Sequence, residues 1–147
     1  MTPKPALHHK NIGQDLKSLL EGKLEPQKLE AAAKTLGAMT QAYPANGSIA
    51  SFIFYLQIQV TVTSPGGKTF NGKAGGISTP GGGALFGDVY TDDINALYAN
   101  THSFAFTSTP AYFAVYFFDS SSNGLGTFQA GAVSTVAGTG GGTGNWS

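Results

Sequence analysis

The hydrophobic period of this chain changes after Gly47, and the change divides it into two regions. From Ile12 to Leu24 the apolar residues Ile12, Leu16, Leu19, Leu20 and Leu24 share one helical face. Gly22 and Pro26 end this amphipathic helix, and Pro26 suits the first turn of a second helix with Leu29, Ala32, Ala33, Leu36 and Met39 on one side. Pro44 and Asn46-Gly47 are expected to stop that helix. Isolated helices of this length are marginal in water. Residues 1–47 therefore read as an N-terminal helical or partly disordered extension, and residues 48–147 as a β-barrel domain.

Beyond Gly47 the period becomes two. Phe52, Phe54, Leu56, Ile58, Val60 and Val62 occupy one side of a strand, and Gln57, Gln59, Thr61 and Thr63 the other. Pro65-Gly66-Gly67 turns the chain into a strand over 68–78, Pro80 to Gly83 makes the next corner, and 84–91 gives a third strand. A short helix through Ile94, Leu97 and Tyr98 follows, with Thr91 expected as its N-cap and Asp92 and Asp93 beside its positive end. Strands over 101–108, 111–119, 125–136 and 141–147 complete the chain, with Ser120 to Gly124 as a hairpin turn. The long 49–63 run could bend and count twice. Connections this short favour antiparallel neighbours, because parallel pairing needs long crossovers.

An internal echo sharpens the architecture. Ala74 to Thr79 followed by Gly81-Gly82-Gly83 is matched by Ala130 to Thr135 followed by Gly140-Gly141-Gly142, and Tyr55 to Ile58 by Tyr112 to Val115. Chance similarity among Gly-rich segments is the alternative. Taken as a repeat, it predicts a mainly β fold: a closed antiparallel β-barrel of about eight strands, in two similar four-stranded, Greek-key-like halves, with an N-terminal helical arm. The inward candidates Phe52, Phe54, Leu56, Phe104, Phe106, Phe113, Val115, Phe117 and Phe128 are bulky enough to fill a barrel of that size. A solid core is expected rather than a ligand cup.

Composition narrows the function classes. Charged residues make up only 11% of the chain, well under the roughly 25% of ordinary soluble proteins, and Gly reaches 21 residues. Net charge is zero and Arg is absent, which argues against nucleic-acid partners. Residues 1–43 hold six Lys against four acids, whereas 44–147 hold two Lys against four acids. With no Cys, disulfides and thiolate chemistry are excluded. No apolar run has the roughly 18 residues of a spanning helix. The opening MTPKPALHHKNIGQDL shows no signal-peptide core, leaving a cytosolic protein or an exported one by another route or with its leader replaced.

Candidate chemistry is sparse. His8 and His9 lie in a Pro-containing terminal tract, where a tag-like or disordered tail is the better reading than a metal site, and His102 stands alone at a strand start, where a surface imidazole is the better reading than a ligand or base. Asp88, Asp92, Asp93 and Asp119 fit no calcium-loop pattern, and helix capping explains Asp92 and Asp93 better. The Gly tracts lack the strand-then-helix setting of a nucleotide loop, and Ser78 and Ser134 sit in no nucleophile elbow. No catalytic, metal or cofactor residues are assigned. The basic arm offers one surface hypothesis: Lys10, Lys17, Lys23, Lys28 and Lys34 beside its apolar stripe could meet an anionic bilayer. The interspersed acids favour a helix packed on the barrel or simply solvated.

Phe117-Phe118-Asp119, the stretch Gly87-Asp88-Val89-Tyr90-Thr91-Asp92-Asp93 and the ending from Val133 through Gly140-Gly141-Gly142-Thr143-Gly144-Asn145-Trp146 resemble the virulence-associated Vap proteins of intracellular pathogenic rhodococci. The resemblance covers roughly residues 48–147. It implies an eight-stranded barrel with an irregular extension, exported to act in the host by disturbing maturation or acidity of the phagocytic compartment. It carries no catalytic residues over. The visible leader is missing and the 12–43 arm is unusually helical for such a protein.

The resulting expectation is a secreted or surface-associated, non-enzymatic effector, monomeric and without a cofactor. It would act through its surface on host membrane lipid or a host protein. A membrane-active toxin and a lipocalin-type small-molecule barrel are the alternatives, separable by vesicle leakage and by an internal cavity.

Overall fold

Turn chemistry and alternation place the elements almost where the period suggests. The computed structural model describes residues 14–109 and 111–147, with the backbone alone at 76, 77 and 133. Residues 14–20 form helix α1. Then come α2 (Pro26–Gly37), β1 (Ala42–Ser51), β2 (Tyr55–Val62), β3 (Thr69–Ser78), β4 (Gly81–Tyr90), α3 (Ile94–Asn100), β5 (Ser103–Ser108), β6 (Tyr112–Phe118), β7 (Gly124–Ser134) and β8 (Gly138–Trp146). Gly22 adopts φ +79° after α1, and Pro26 opens α2, each as its side-chain chemistry dictates.

The strands close into an antiparallel barrel in the order β1-β2-β3-β8-β5-β6-β7-β4. Rewritten by halves, this is β4-β1-β2-β3 followed by β8-β5-β6-β7, so each half is a Greek key with its fourth strand beside its first. The sequence echo maps onto this pseudo-symmetry: β2 corresponds to β6, β3 to β7, and the start of β4 to that of β8. Closure leaves no unpaired sheet edge.

Three boundary expectations are corrected. The Pro44 and Asn46-Gly47 pairs do not stop a helix; they lie within β1, which begins at Ala42 and crosses the position expected to separate arm from barrel. Pro44 contributes its carbonyl to Thr63 N at 2.9 Å, and Gly47 sits so close to the Gln59 carbonyl of β2 that a Cβ would collide with it. Gly81, Gly82 and Gly83 are strand residues rather than a corner, and β8 already begins at Gly138 rather than 141, because bare backbone lets neighbouring strands approach. Asp93, not Thr91, caps α3: its Oδ1 accepts from Ala96 N at 3.0 Å, while Thr91 Oγ1 donates to the Leu125 carbonyl at 2.8 Å.

The interior is solid. Phe70 packs edge-on against Phe117 and Phe104, with ring centroids 4.9 Å and 5.4 Å away, and tilts against Trp146 at 5.5 Å. Ile58, Val60, Leu85, Val89, Phe106, Phe113 and Phe128 fill the rest, and Leu97 of α3 seals one end. Phe52 and Phe54 are the exceptions among the inward candidates. They are 63% and 70% exposed, because the chain reverses between Ser51 and Tyr55 and the two-residue period runs on past the end of the strand.

A second apolar layer lies outside the barrel. Leu16 of α1 and Leu29, Ala32, Ala33 and Leu36 of α2 pack with Met39 on Tyr90, Ala105, Ala114, Tyr116 and Phe118. This explains why β6 reads Tyr-Phe-Ala-Val-Tyr-Phe-Phe with no alternation: its odd positions face the core and its even positions face the helices. Burying each of the three leucines stabilises the docked arm by about 1.5–3 kcal/mol.

Candidate interaction surface

With the barrel filled, any site must be assembled on its outside. The five arm lysines expected to meet a bilayer are dispersed in role. Lys17 Nζ pairs with Glu30 at 2.9 Å, joining α1 to α2, and Lys28 Nζ donates to Asn123 Oδ1 at 3.3 Å, tying α2 to the β6–β7 turn. Lys34 is in the last turn of α2, Lys23 borders a groove beside the arm, and Lys10 lies outside the described residues. His8 and His9 lie outside them as well, and His102 is exposed at the start of β5.

Asp119 is structural. Asp119 Oδ1 accepts from Ser121 N and Asn123 N, both at 2.9 Å, and its Oδ2 accepts from Asn123 Nδ2 at 3.1 Å. Desolvation pushes its pKa up, but these bonds and Lys28 outweigh that and hold the carboxyl below its usual value. Among the described residues no three His, Cys, Asp or Glu side chains converge as a metal site would require.

Beneath the arm lies a polar ladder on the outer face of β6 and β7. Tyr112 Oη donates to Gln129 Oε1 at 2.5 Å, Gln129 Nε2 to Thr127 Oγ1 at 2.8 Å, and Thr127 Oγ1 to the Val115 carbonyl at 2.7 Å. Burial raises the pKa of Tyr112 strongly, with Tyr116 and Asp15 adding to it. Tyr116 is pushed up to about 12, by burial first, with Gln129 and Tyr112 opposing and Asp15 reinforcing. Two shallow concavities lie elsewhere on the exterior, one beside the arm and one across the barrel from the ladder. One, of about 520 Å³, runs between Leu19, Leu20 and Leu24 of the arm and the glycine floor at Gly75, Gly140 and Gly141. The other is a polar saddle over Gln57, Gln59, Asn71, Lys73 and Asn145, in which Gln59 donates to Asn71 Oδ1 at 2.9 Å.

The exterior feature that sequence reasoning misplaced is the β1–β2 turn. Phe52, Ile53, Phe54 and Tyr55 are consecutive and exposed, and Phe52 stacks on Tyr55 with centroids 6.1 Å apart. A signal was present: Ile53 and Tyr55 are apolar on the side that should be wet, so alternation fails from 52 to 55.

Comparison with known proteins agrees with this architecture. A family model described as Rhodococcus equi virulence-associated protein matches residues 3–147. Among solved structures, the virulence-associated protein VapD from the intracellular pathogen Rhodococcus equi is 39% identical, with a TM-score of 0.71 over 73% of this chain and 97% of that one. VapB from the same organism is 41% identical, with a TM-score of 0.67 over 73% of this chain and 96% of that one. Comparison with curated proteins gives no match.

Proposed function

Because the chain belongs to the Rhodococcus equi virulence-associated protein family, we propose that it is a secreted, non-enzymatic virulence effector whose exterior acts on host membranes and thereby alters phagosome maturation. The observation that carries an exterior mode of action is the filled barrel. Phe70, Phe104, Phe117 and Trp146 occupy the centre with ring spacings of 4.9–5.5 Å, where a lipocalin-type carrier holds its ligand. Two of the barrel's acids support the non-enzymatic part by their roles, since Asp93 caps a helix and Asp119 closes a turn. The exposed apolar turn at residues 52–55 favours membrane over protein as the target.

Beads coated with the full chain and fed to macrophages test this reading. Phagosomes carrying them are expected to acidify and acquire hydrolases more slowly than those carrying beads coated with heat-denatured chain. Equal rates would sink the effector reading, and rapid dye leakage from protein-free lipid vesicles would replace it with the membrane-active toxin.

A further inference from the structure

The β1–β2 turn is built as few aqueous loops are. Its exposed residues, Phe52 at 63%, Ile53 at 42%, Phe54 at 70% and Tyr55 at 38%, form one contiguous apolar tip. Backbone polar groups within it are largely satisfied internally. Phe52 N donates to the Tyr55 carbonyl at 2.7 Å and Phe54 N to the Phe52 carbonyl at 3.0 Å. Ser78 N donates to the Ile53 carbonyl at 3.0 Å, and Ile53 N to Ser51 Oγ at 3.3 Å. Ser51 and Ser78 hydroxyls, 2.5 Å apart, brace the base of the turn.

Ile53 carries φ +78° at the centre of that i→i+2 turn, a conformation which a β-branched residue adopts only under strain. Gly or Asn would occupy it at lower cost in a turn meant only for water. The chain instead presents a large aliphatic side chain there.

Charge is distributed to match. Strand order puts the β1–β2, β3–β4, β5–β6 and β7–β8 turns at one end of the barrel, and none of those turns contains Asp, Glu, Lys or His. Lys68, Asp92, Asp93, His102 and Asp119 belong to the opposite end, while Lys73 and Asp88 lie within strands. Among the described residues of the arm, Asp15 comes toward this same end, but on the wall of β5, β6 and β8, beside Tyr112 and Thr139 and across the barrel from the β1–β2 turn. A protein-binding patch carries a polar rim with charges and hydrogen-bonding groups. A bilayer rejects charge and unpaired backbone groups, takes Phe and Ile into its acyl region, and places Tyr at the headgroups. The β1–β2 side of this end has the second set of properties.

We propose that Phe52, Ile53 and Phe54, with Tyr55 at their base, are a lipid-interface anchor that wedges between the headgroups of a bilayer, setting the barrel on end with its charged pole facing water. The anchor rests on the membrane reading above and gives it a site. A wedge this small supports reversible binding, no stronger than the about 10⁴ M⁻¹ of a single myristoyl chain. Being apolar, it is indifferent to salt, unlike capture by the arm lysines.

The test is co-flotation of the full chain with phosphatidylcholine vesicles at about 0.1 M and about 1 M NaCl, where screening lengths are about 10 Å and about 3 Å. Wild type is expected to float at both. The double variant Phe52→Ser, Phe54→Ser should lose at least about tenfold in partitioning, whereas Phe86→Ser, which removes an equally exposed phenyl group from the wall of β4, should float like wild type. Since the chain has no Cys, an Ile53→Cys variant bearing a polarity-sensitive dye should shift to the blue on vesicles and be quenched by brominated lipid. Trp146 emission and melting temperature report whether each variant is folded. Undiminished binding by the double variant, or binding to anionic vesicles that salt abolishes, would overturn the anchor and leave the membrane reading standing on the arm. No binding to any vesicle overturns both. Concentration-dependent self-association that the double variant loses, without lipid binding, would assign the tip to a second copy instead.

Discussion

Gly142 of β8 lies against the main-chain carbonyl of Lys73 in β3, so closely that the oxygen occupies the place a Cβ would need. The same glycine pairs with Ala74 on one side and Phe104 on the other, at the seam where the two Greek keys meet. Gly142→Ala must push β8 away from β3. The expected cost is about 3 kcal/mol, measured by urea unfolding followed through Trp146. Gly75→Ala is the contrast, because a Cβ there meets open space, and it should be near neutral.

Phe70 is fully buried and touches three other rings of the barrel centre. Phe70→Ala should destabilise by about 3–5 kcal/mol and leave a cavity of apolar lining. If the variant melts within a degree or two of wild type, the interior is not the packed core described.

Asp119 holds the β6–β7 turn through three hydrogen bonds. Asp119→Ala is expected to cost about 1 kcal/mol. Its carboxyl has a folded-state pKa below the ordinary value. The stabilisation is therefore complete above the unfolded pKa of about 3.9 and is lost as pH falls through the lower folded value. Unfolding curves of wild type and variant should draw together as pH falls below the ordinary carboxylate range.

Leu36 of α2 is fully buried, and its side chain lies against Gly124 at the start of β7. Leu36→Ala should cost about 2–4 kcal/mol. Removing residues 1–40 exposes the outer face of β6 at Tyr116 and Phe118, and should yield a chain that binds a hydrophobic dye and aggregates. A truncated chain that stays monomeric and dye-silent would show that the arm is not part of the folded unit.

Burial pushes the Tyr116 phenol up to about 12, from the usual 10.0. A raised acid pKa means the native state prefers the neutral phenol. Its stabilising effect is complete below about pH 10 and is lost as pH rises through about 12. Ultraviolet titration of the folded chain should show Tyr116 and Tyr112 ionising last, and Tyr116→Phe should flatten the alkaline fall in stability.

Much of the fold was legible locally. Alternation from Leu56 to Val62 identified β2 and its inward face, and the Gly-rich echoes placed β3 with β7 and β4 with β8, as the Greek keys require. Alternation is a property of a strand half-buried on one side, and it misled wherever that condition failed. At Phe52 and Phe54 the period outlasted the strand, and in β6 the helices covered the outer face and erased the period. Pro44 and Gly47 announced a turn because their chemistry suits one, and only the approach of β2 explains them inside β1. The lysines of the arm could be counted but not placed, since ion pairs such as Lys17 with Glu30 depend on how two helices lie together.

By itself the sequence determined period, turn chemistry and charge balance: an antiparallel barrel, a helical arm, and no clustered charge for nucleic acid. Those are short-range properties, written in neighbouring residues. Tertiary structure decided which aromatic side chains the barrel swallows, which face the arm covers, and that four apolar residues remain in solvent at the β1–β2 turn. Burial depends on where distant strands close around a side chain, and no local pattern records that.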